Sequence, residues 1–343
     1  MIGNKIESKV APTHAGGPLL EVKNLKVSFE TVNGRVLAVN DLNFSVQTGQ
    51  RIGIVGESGS GKSVAAQALM GILRGADISG EIIFRGTNLL ELEEDHYRKL
   101  RGWDISYVFQ DPLSALDPIR TIGDQVSQVL RLRNVKAAEA KKKTLEILDR
   151  VGIKDPQRRY NDYPHQFSGG MRQRAMIAMA LIGEPSLVIA DEPTTSLDVR
   201  VQAQVIDLFN KLTEEQGTAV IFITHDLSIM AGFAEDVHVM YAGNIVESAK
   251  TDEIYYRSIH PYTLGLLGSI PRIRGPVLKS LTAIKGKPPA PTDIPPGCPF
   301  HPRCTYASSE CAELKPTLQI PKSGNHLSAC HHSELLSQKN GSR

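Results

Sequence analysis

The chain has 343 residues, 41% of them hydrophobic, with 39 Lys and Arg against 37 Asp and Glu. That length exceeds what one core usually serves, and the near balance of charge excludes a global field that would gather nucleic acid or acidic lipid. No apolar run approaches the ~20 residues that cross a bilayer, and the opening MIGNKIESKVAPTHAGG lacks the apolar stretch of a signal peptide. Residues 1–18 read as a disordered lead-in, and the chain as a soluble protein of the cytosol.

Residues 19–55 fall into short β-like pieces, LLEVKNLKVSF, VLAVNDLNFSV and QRIGIVG, parted by Asn-Gly and Thr-Gly turn signals. From Ser63, SVAAQALMGIL carries Ala and Leu on a helical period. GEIIFRGTNLL reads as a hairpin piece and ISYVFQ as a strand. Residues 112–183 read mainly as helix, through AAEAKKKTLEILDRVG and MRQRAMIAMALIG. The basic stretch RLRNVKAAEAKKK (131–143) alternates its charges with Leu, Val and Ala, so it reads as a solvated helix face before a nucleic-acid site. SLVIADE is a continuous apolar strand of the kind buried on both faces. The helix VRVQAQVIDLFNKLTEEQG and the strand TAVIFITHD complete a βαβ pattern, which predicts an α/β layered core. After about 258 the texture changes to Pro and Gly, as in KGKPPAPTDIPPGCPFHPRC, marking a separate appendage. No internal repeat is visible.

Gly56-x4-Gly61-Lys62-Ser63 stands between an apolar strand and a helix, the setting a phosphate-binding P-loop requires. Its residues Gly56, Glu57, Ser58, Gly59, Ser60 and Gly61 wrap phosphates with backbone amides, and the following helix N-terminus adds partial positive charge. Lys62 can reach the β and γ phosphates, and the Ser63 hydroxyl can ligate Mg²⁺. Asp191 and Glu192 end the strand LVIADE, on the sheet edge where ligands of parallel α/β proteins sit. Asp191 suits a hold on Mg²⁺ and Glu192 a general base for the attacking water. Taken alone, the pair also reads as two solvated acids at a strand end. In FSGGMRQR, Ser168, Gly169 and Gly170 open a second helix suited to anions. One P-loop does not need two cradles, so this one is expected to close over the nucleotide of a partner in a head-to-tail dimer.

In this order the motifs resemble the nucleotide-binding subunit of ATP-binding cassette (ABC) transporters, over residues 20 to about 250. The resemblance implies a P-loop NTPase core with an antiparallel β subdomain and a helical subdomain. It places Phe29 as the aromatic residue that stacks on adenine; without it, Phe29 is an ordinary buried strand residue. Gln110, in YVFQDP, would touch Mg²⁺ and relay motion to membrane subunits. Ser168 to Gln173 match the signature, with Met171 ahead of the usual Gln or Arg context. DEPTTSLD supplies the D-loop aspartate Asp198, and His225, in FITHDL, the switch histidine on the γ-phosphate. On its own, His225 equally reads as a satisfied histidine at a strand end. Expected cofactors are ATP and Mg²⁺.

QDPLSALDP, YPHQFSGGMRQRAMIAMAL, HPYTLGLLGSIPR and CPFHPRC narrow the resemblance to the D-type ATPase of oligopeptide/dipeptide importers, over 20–332. It implies two distinct permease subunits in the membrane, a second homologous ATPase subunit and an extracytoplasmic peptide-binding protein, with this chain peripheral on the cytoplasmic face of a bacterial inner membrane. Dipeptides, glutathione and metal chelates remain alternative cargoes, and a soluble ABC ATPase acting on nucleic acid is the remoter alternative. The chain divides accordingly into an ATPase domain at 19–258, with its helical subdomain at about 112–183, an importer extension at 259–335 and a tail at 336–343.

All four cysteines lie in that extension, as Cys298-x5-Cys304-x6-Cys311-x18-Cys330. Structural zinc favours at least one tight Cys pair, which is missing, while His301, His326, His331 and His332 keep zinc open. Fe–S clusters take four thiolates, and the resemblance implies a [4Fe–4S] cluster here, with zinc next and unliganded thiols or disulfides last.

Overall fold

A computed structural model describes residues 17–32, 34–195, 198–270, 284–322 and 326–340. The lead-in expected over 1–18 falls, as far as residue 16, outside them. In chain order the strands are β1 (Leu20–Thr31), β2 (Gly34–Val46), β3 (Arg51–Val55), β4 (Ala76–Phe84), β5 (Thr87–Asn88), β6 (Ile105–Val108), β7 (Leu187–Asp191), β8 (Ala219–Thr224), β9 (Asp236–Tyr241), β10 (Asn244–Lys250) and β11 (Leu327–Ser328).

They form two sheets. The smaller is antiparallel, in the order β2-β1-β4-β5. The larger has the order β11-β10-β9-β3-β8-β7-β6. Within it β9, β3, β8, β7 and β6 run parallel, and β10 and β11 add antiparallel strands at one end.

The apolar run of β7 and the six buried residues of β8 show why the parallel strands read as continuous hydrophobic sequence. Successive side chains face opposite sides of the sheet, and both sides are covered. Leu187, Ile189, Ala219, Ile221 and Ile223 pack with the antiparallel sheet and the helix Lys62–Leu69. Val188, Ala190, Val220 and Phe222 pack on the other side, with the helical layer.

That layer is inserted between β6 and β7. Its helix Ala137–Arg150 buries Ala140, Thr144, Ile147 and Leu148. On its outer side Lys142 meets Glu146 and Lys143 meets Glu139, each at 3.8 Å. The basic stretch is thus a solvated face laced with i,i+4 ion pairs.

The Pro- and Gly-rich stretch after 258 has few large apolar side chains with which to build a core, and it shares the cassette's. Phe300 is 3% exposed and packs its ring 5.3 Å from those of Tyr241 and Tyr262. β11 pairs with β10, Glu247 facing Ser328. The fully buried Glu247 carboxylate accepts bonds from Ser258 Oγ (2.9 Å) and the Ile259 amide (2.6 Å), and lies 2.9 Å from His326 Nε2.

Candidate active site

Four parallel strands deliver the candidate residues to one edge. β3 ends at Val55 and feeds the P-loop, and β7 ends at Asp191. β8 leads through Thr224 to His225, and β6 through Val108 to Gln110. Because the strands are parallel, all four carboxyl ends open on the same side, where a ligand can meet loop amides and strand-end side chains together.

The loop needs its glycines for space. A side chain on Gly56 would put a carbon 2.1 Å from the Met240 carbonyl oxygen. Gly61 has φ +97°, and a carbon there would lie 2.3 Å from the Ala38 oxygen. Lys62, 4% exposed, donates to the Gly56 carbonyl (2.8 Å), the Glu57 carbonyl (2.9 Å) and Ser60 Oγ (3.4 Å). Its ammonium thus spans the inside of the loop. Burial pushes its pKa down, opposed by the charges of Glu192, Asp191 and Glu57.

Ser63 Oγ donates to Asp191 Oδ1 at 2.9 Å, and Tyr107 OH donates to Asp191 Oδ2 at 2.8 Å. Burial raises the pKa of Asp191, and these two bonds oppose the rise. Burial, reinforced by Asp191, also pushes the Tyr107 phenol up, so Tyr107 stays a donor. A hydroxyl and a carboxylate side by side are the hard oxygen donors that Mg²⁺ takes, so Ser63 and Asp191 fit the ion.

Glu192 carries φ +46°, an uncommon backbone state for a side chain of its size. Its amide donates to the Ile223 carbonyl at 2.9 Å, tying it to the end of β8. Three groups converge on its Oε2: Gln110 Nε2 at 3.1 Å, Thr195 Oγ1 at 2.8 Å and His225 Nδ1 at 3.1 Å. A carboxylate only accepts, so Nδ1 is assigned the proton and Nε2 is left as an acceptor.

Lys62, Ser63, Ser58, Gly59, Gly61, Gln110 and Glu192 line one cavity of about 260 Å³. Phe29 does not; it is half-buried on β1, opposite Val36, which does line the cavity. The signature also lies apart. Ser168 and Gly169 are exposed at the start of the helix Gly169–Leu181, where Ser168 Oγ accepts the Met171 amide at 3.3 Å. Gln173 is buried inside that helix. Asp198 is exposed and caps the helix Val199–Gln216, accepting the amides of Arg200 and Val201.

The cysteine tail corrects the expectation of a metal centre, whether [4Fe–4S] or zinc. Among the described residues no group of three or more His, Cys, Asp or Glu side chains could hold a metal ion. All four cysteines are free thiols. Burial raises the pKa of Cys298 and Cys304 and pushes Cys330 up to about 12. Instead they pack and bond locally. Cys298 and Cys304 lie against the core, Cys304 Sγ accepts the Tyr306 amide and Cys330 Sγ accepts the His332 amide, both at 3.3 Å. Cys311 Sγ lies 3.4 Å from Ser308 Oγ.

Sequence reasoning missed Tyr107, Thr195, Tyr262 and Arg303. Tyr107 had a signal: it lies on the strand expected just before Gln110, and β6 flanks β7. Tyr262 and Arg303 had none, because each reaches Glu57 across the tertiary structure. Tyr262 OH accepts the Glu57 amide at 2.8 Å, and Arg303 grips the Glu57 carboxylate at 2.5 and 2.9 Å.

Comparison with known proteins agrees with this arrangement. Residues 39–195 match the ABC transporter family, and residues 246–311 match the oligopeptide/dipeptide transporter C-terminal region. The chain is 49% identical over 300 residues to the oligopeptide transport ATP-binding protein OppD of Escherichia coli (strain K12), covering 87% of this chain and 89% of that protein. It is 48% identical over 302 residues to the dipeptide transport ATP-binding protein DppD of Lactococcus lactis subsp. cremoris, covering 87% and 86%. Among solved structures, the dimeric post-hydrolysis state of the ATP-binding cassette MJ0796 bound to ADP and Pi superposes with a TM-score of 0.62 at 29% identity, over 68% of this chain and 98% of that one. With its phosphate loop, its strand-end acids and its C-terminal region all matched, the chain belongs to the ABC transporter ATP-binding proteins of the oligopeptide/dipeptide type.

Proposed function

We propose that this chain binds and hydrolyses ATP as a subunit of a membrane importer for oligopeptides. The observation that carries the reading is the convergence of Gln110, Thr195 and His225 on Glu192, in the cavity lined by Lys62 and Ser63. Its support from relatives is the 49% identity to an oligopeptide transport ATP-binding protein. A dipeptide cargo is the second reading, favoured by the 48% identity to a dipeptide transport protein.

The mechanism follows from the site. Lys62 donates to the γ-phosphate from inside the loop, a charge-assisted bond stronger than those to the loop carbonyls. Loop amides and the helix N-terminus take the remaining phosphate charge. Ser63, Asp191 and the amide oxygen of Gln110 would hold Mg²⁺, which would supply positive charge to the phosphates. Glu192 accepts the proton of the attacking water, and its three partners keep the carboxylate in one orientation. His225, with its Nδ1 on Glu192, orients that carboxylate beside the γ-phosphate.

Ser168, Gly169, Gly170, Gln173 and Asp198 act on the nucleotide of a second, homologous ATPase subunit. The exposure of Ser168, Gly169 and Asp198 at two helix starts, none of them lining this chain's own cavity, supports that division. Phe29 is assigned the adenine contact, supported by its pairing opposite Val36, which lines the cavity.

Among the described residues no helix is long and apolar enough to cross a membrane. The chain's likeness to an oligopeptide transport ATP-binding protein supports docking on two permease subunits at the cytoplasmic face, supplied by an extracytoplasmic peptide-binding protein. Phe109, Leu113 and Ile119 are exposed beside Gln110 and offer an apolar surface for that contact. Residues 19–258 act as the ATPase unit, with helical residues 112–183 as the docking arm and 259–335 as the importer-specific extension.

Glu192→Gln tests the site. In the assembled importer it keeps ATP affinity and slows turnover by roughly 10²–10⁴-fold. Near-normal turnover rejects Glu192 as the base. Deleting the chain stops uptake of a labelled oligopeptide; unchanged uptake rejects the cargo.

A further inference from the structure

The side chain of Arg303 is 5% exposed and lies outside the catalytic set. Its guanidinium has five N–H donors, and each has an acceptor. Nη1 donates to Glu57 Oε2 (2.5 Å) and Tyr241 OH (3.3 Å). Nη2 donates to Glu57 Oε1 (2.9 Å) and the Gly286 carbonyl (3.4 Å). Nε donates to the Lys285 carbonyl at 3.1 Å. The planar group also lies 5.8 and 5.9 Å from the ring centroids of Tyr241 and Phe300.

These acceptors belong to three different parts of the molecule. Glu57 is the second residue of the phosphate loop, and its amide is held separately by Tyr262 OH. Tyr241 ends β9, next to β3. Lys285 and Gly286 begin the chain that runs on to Pro289, Pro291 and Ile294, and those three residues line the nucleotide cavity together with Lys62 and Glu192. One buried cation therefore ties the phosphate loop, the central sheet and a strap across the nucleotide cavity.

We propose that Arg303 is a positioning residue for nucleotide binding, which holds the phosphate loop through Glu57 and seats residues 285–294 as an apolar wall of the nucleotide site. The physical reason is preorganisation. A loop of small residues with its backbone fixed in advance loses less conformational entropy when phosphate arrives. The strap then covers nucleotide surface that the cassette's own strands leave open. Arg303 touches no reacting group, so its effect falls on nucleotide affinity and leaves the chemical step alone. Lysine cannot replace it, because three donors on one nitrogen cannot reach five acceptors spread around a plane.

The inference rests on the reading that this cavity takes ATP. The test is ADP titration calorimetry on the full chain, together with steady-state ATPase measurements on the assembled importer. Arg303→Gln is expected to weaken ADP about tenfold and to raise KM for ATP by a similar factor, with kcat held within about twofold. Arg303→Lys recovers less than half of the loss on a logarithmic scale. Glu57→Gln weakens ADP in the same direction, and the double variant is no weaker than Arg303→Gln alone. Ile294→Ala, at the strap, weakens ADP by about threefold.

Unchanged ADP affinity in folded Arg303→Gln and Glu57→Gln overturns the proposal, as does a loss confined to kcat. If Arg303→Gln does not fold, unchanged affinity in both Glu57→Gln and Ile294→Ala overturns it. Lys62→Ala separates the two levels. If it loses ADP while the Arg303 and Glu57 variants keep it, only the Arg303 role fails. If the unsubstituted chain does not bind ADP, the ATP reading itself fails.

Discussion

The carboxyl edge of the central sheet and the cysteine-bearing tail both gather side chains capable of chemistry, and only the edge assembles a site. At the edge, Asp191 and Glu192 stand among hydroxyls, an amide and an imidazole that hold carboxylate oxygens in place. In the tail, Cys298 and Cys304 pack against the core, Cys304 and Cys330 accept local amides, and among the described residues no metal-holding group forms. A cluster of reactive residue types becomes a site when its groups converge on one another around a space that a ligand can enter. Otherwise the same residues are packing material. The tail still bears on function, through a cation that stands between two of its cysteines.

The largest effect expected on this contrast comes from Lys62→Ala. It removes the buried ammonium and lowers ATP affinity by on the order of 100-fold or more, since a charge-assisted bond to phosphate is lost in a low-dielectric site. The melting temperature should hardly move, because Lys62 bonds only its own loop. Normal ATP affinity would break the assignment of the edge.

Glu247→Ala probes the tail from the opposite side. It strips the acceptor from Ser258, Ile259 and His326 in a fully buried setting. Denaturant unfolding should show a loss of roughly 3 kcal/mol, with catalytic turnover per folded molecule largely kept. A stability change below about 0.5 kcal/mol would mean that the tail is not clamped through this carboxylate.

A smaller effect concerns pH. His238 and His260 are buried, and desolvation holds both at about 4 against an ordinary 6.5, opposed by Asp236 and Glu247 respectively. The unfolded chain then binds more protons than the folded one between those values, so stability rises with pH across the window. Stability is fully present above pH 6.5 and is lost progressively as pH falls toward about 4. Thermal melts of His260→Asn, whose side chain can still accept the Tyr262 amide that His260 Nδ1 caps, should show a shallower decline over that range. An identical decline would remove His260 from the account.

Much of the catalytic edge was legible because its chemistry is written locally. Gly56 to Ser63 form one loop, and Asp191 and Glu192 follow one apolar strand whose burial on both faces was readable from its run of aliphatic residues. Gln110 and His225 were placed through the resemblance; the structure brings both to Glu192, at the edge that the parallel strand ends share. The tail resisted the same reading. The spacing of Cys298, Cys304, Cys311 and Cys330 is compatible with ligation, but spacing along the chain does not say whether the side chains converge on one point, and among the described residues they form no metal-holding group.

By itself the sequence determined the layered α/β core and the phosphate loop between its strand and helix, because these depend on periodicity and on short motifs. Only the tertiary structure decided which partners orient Glu192, that the cysteines serve packing, and that Arg303 reaches back across 246 residues to Glu57. The reason is range. A motif records neighbours along the chain, whereas burial and the pairing of a buried cation are set by whatever the fold brings together.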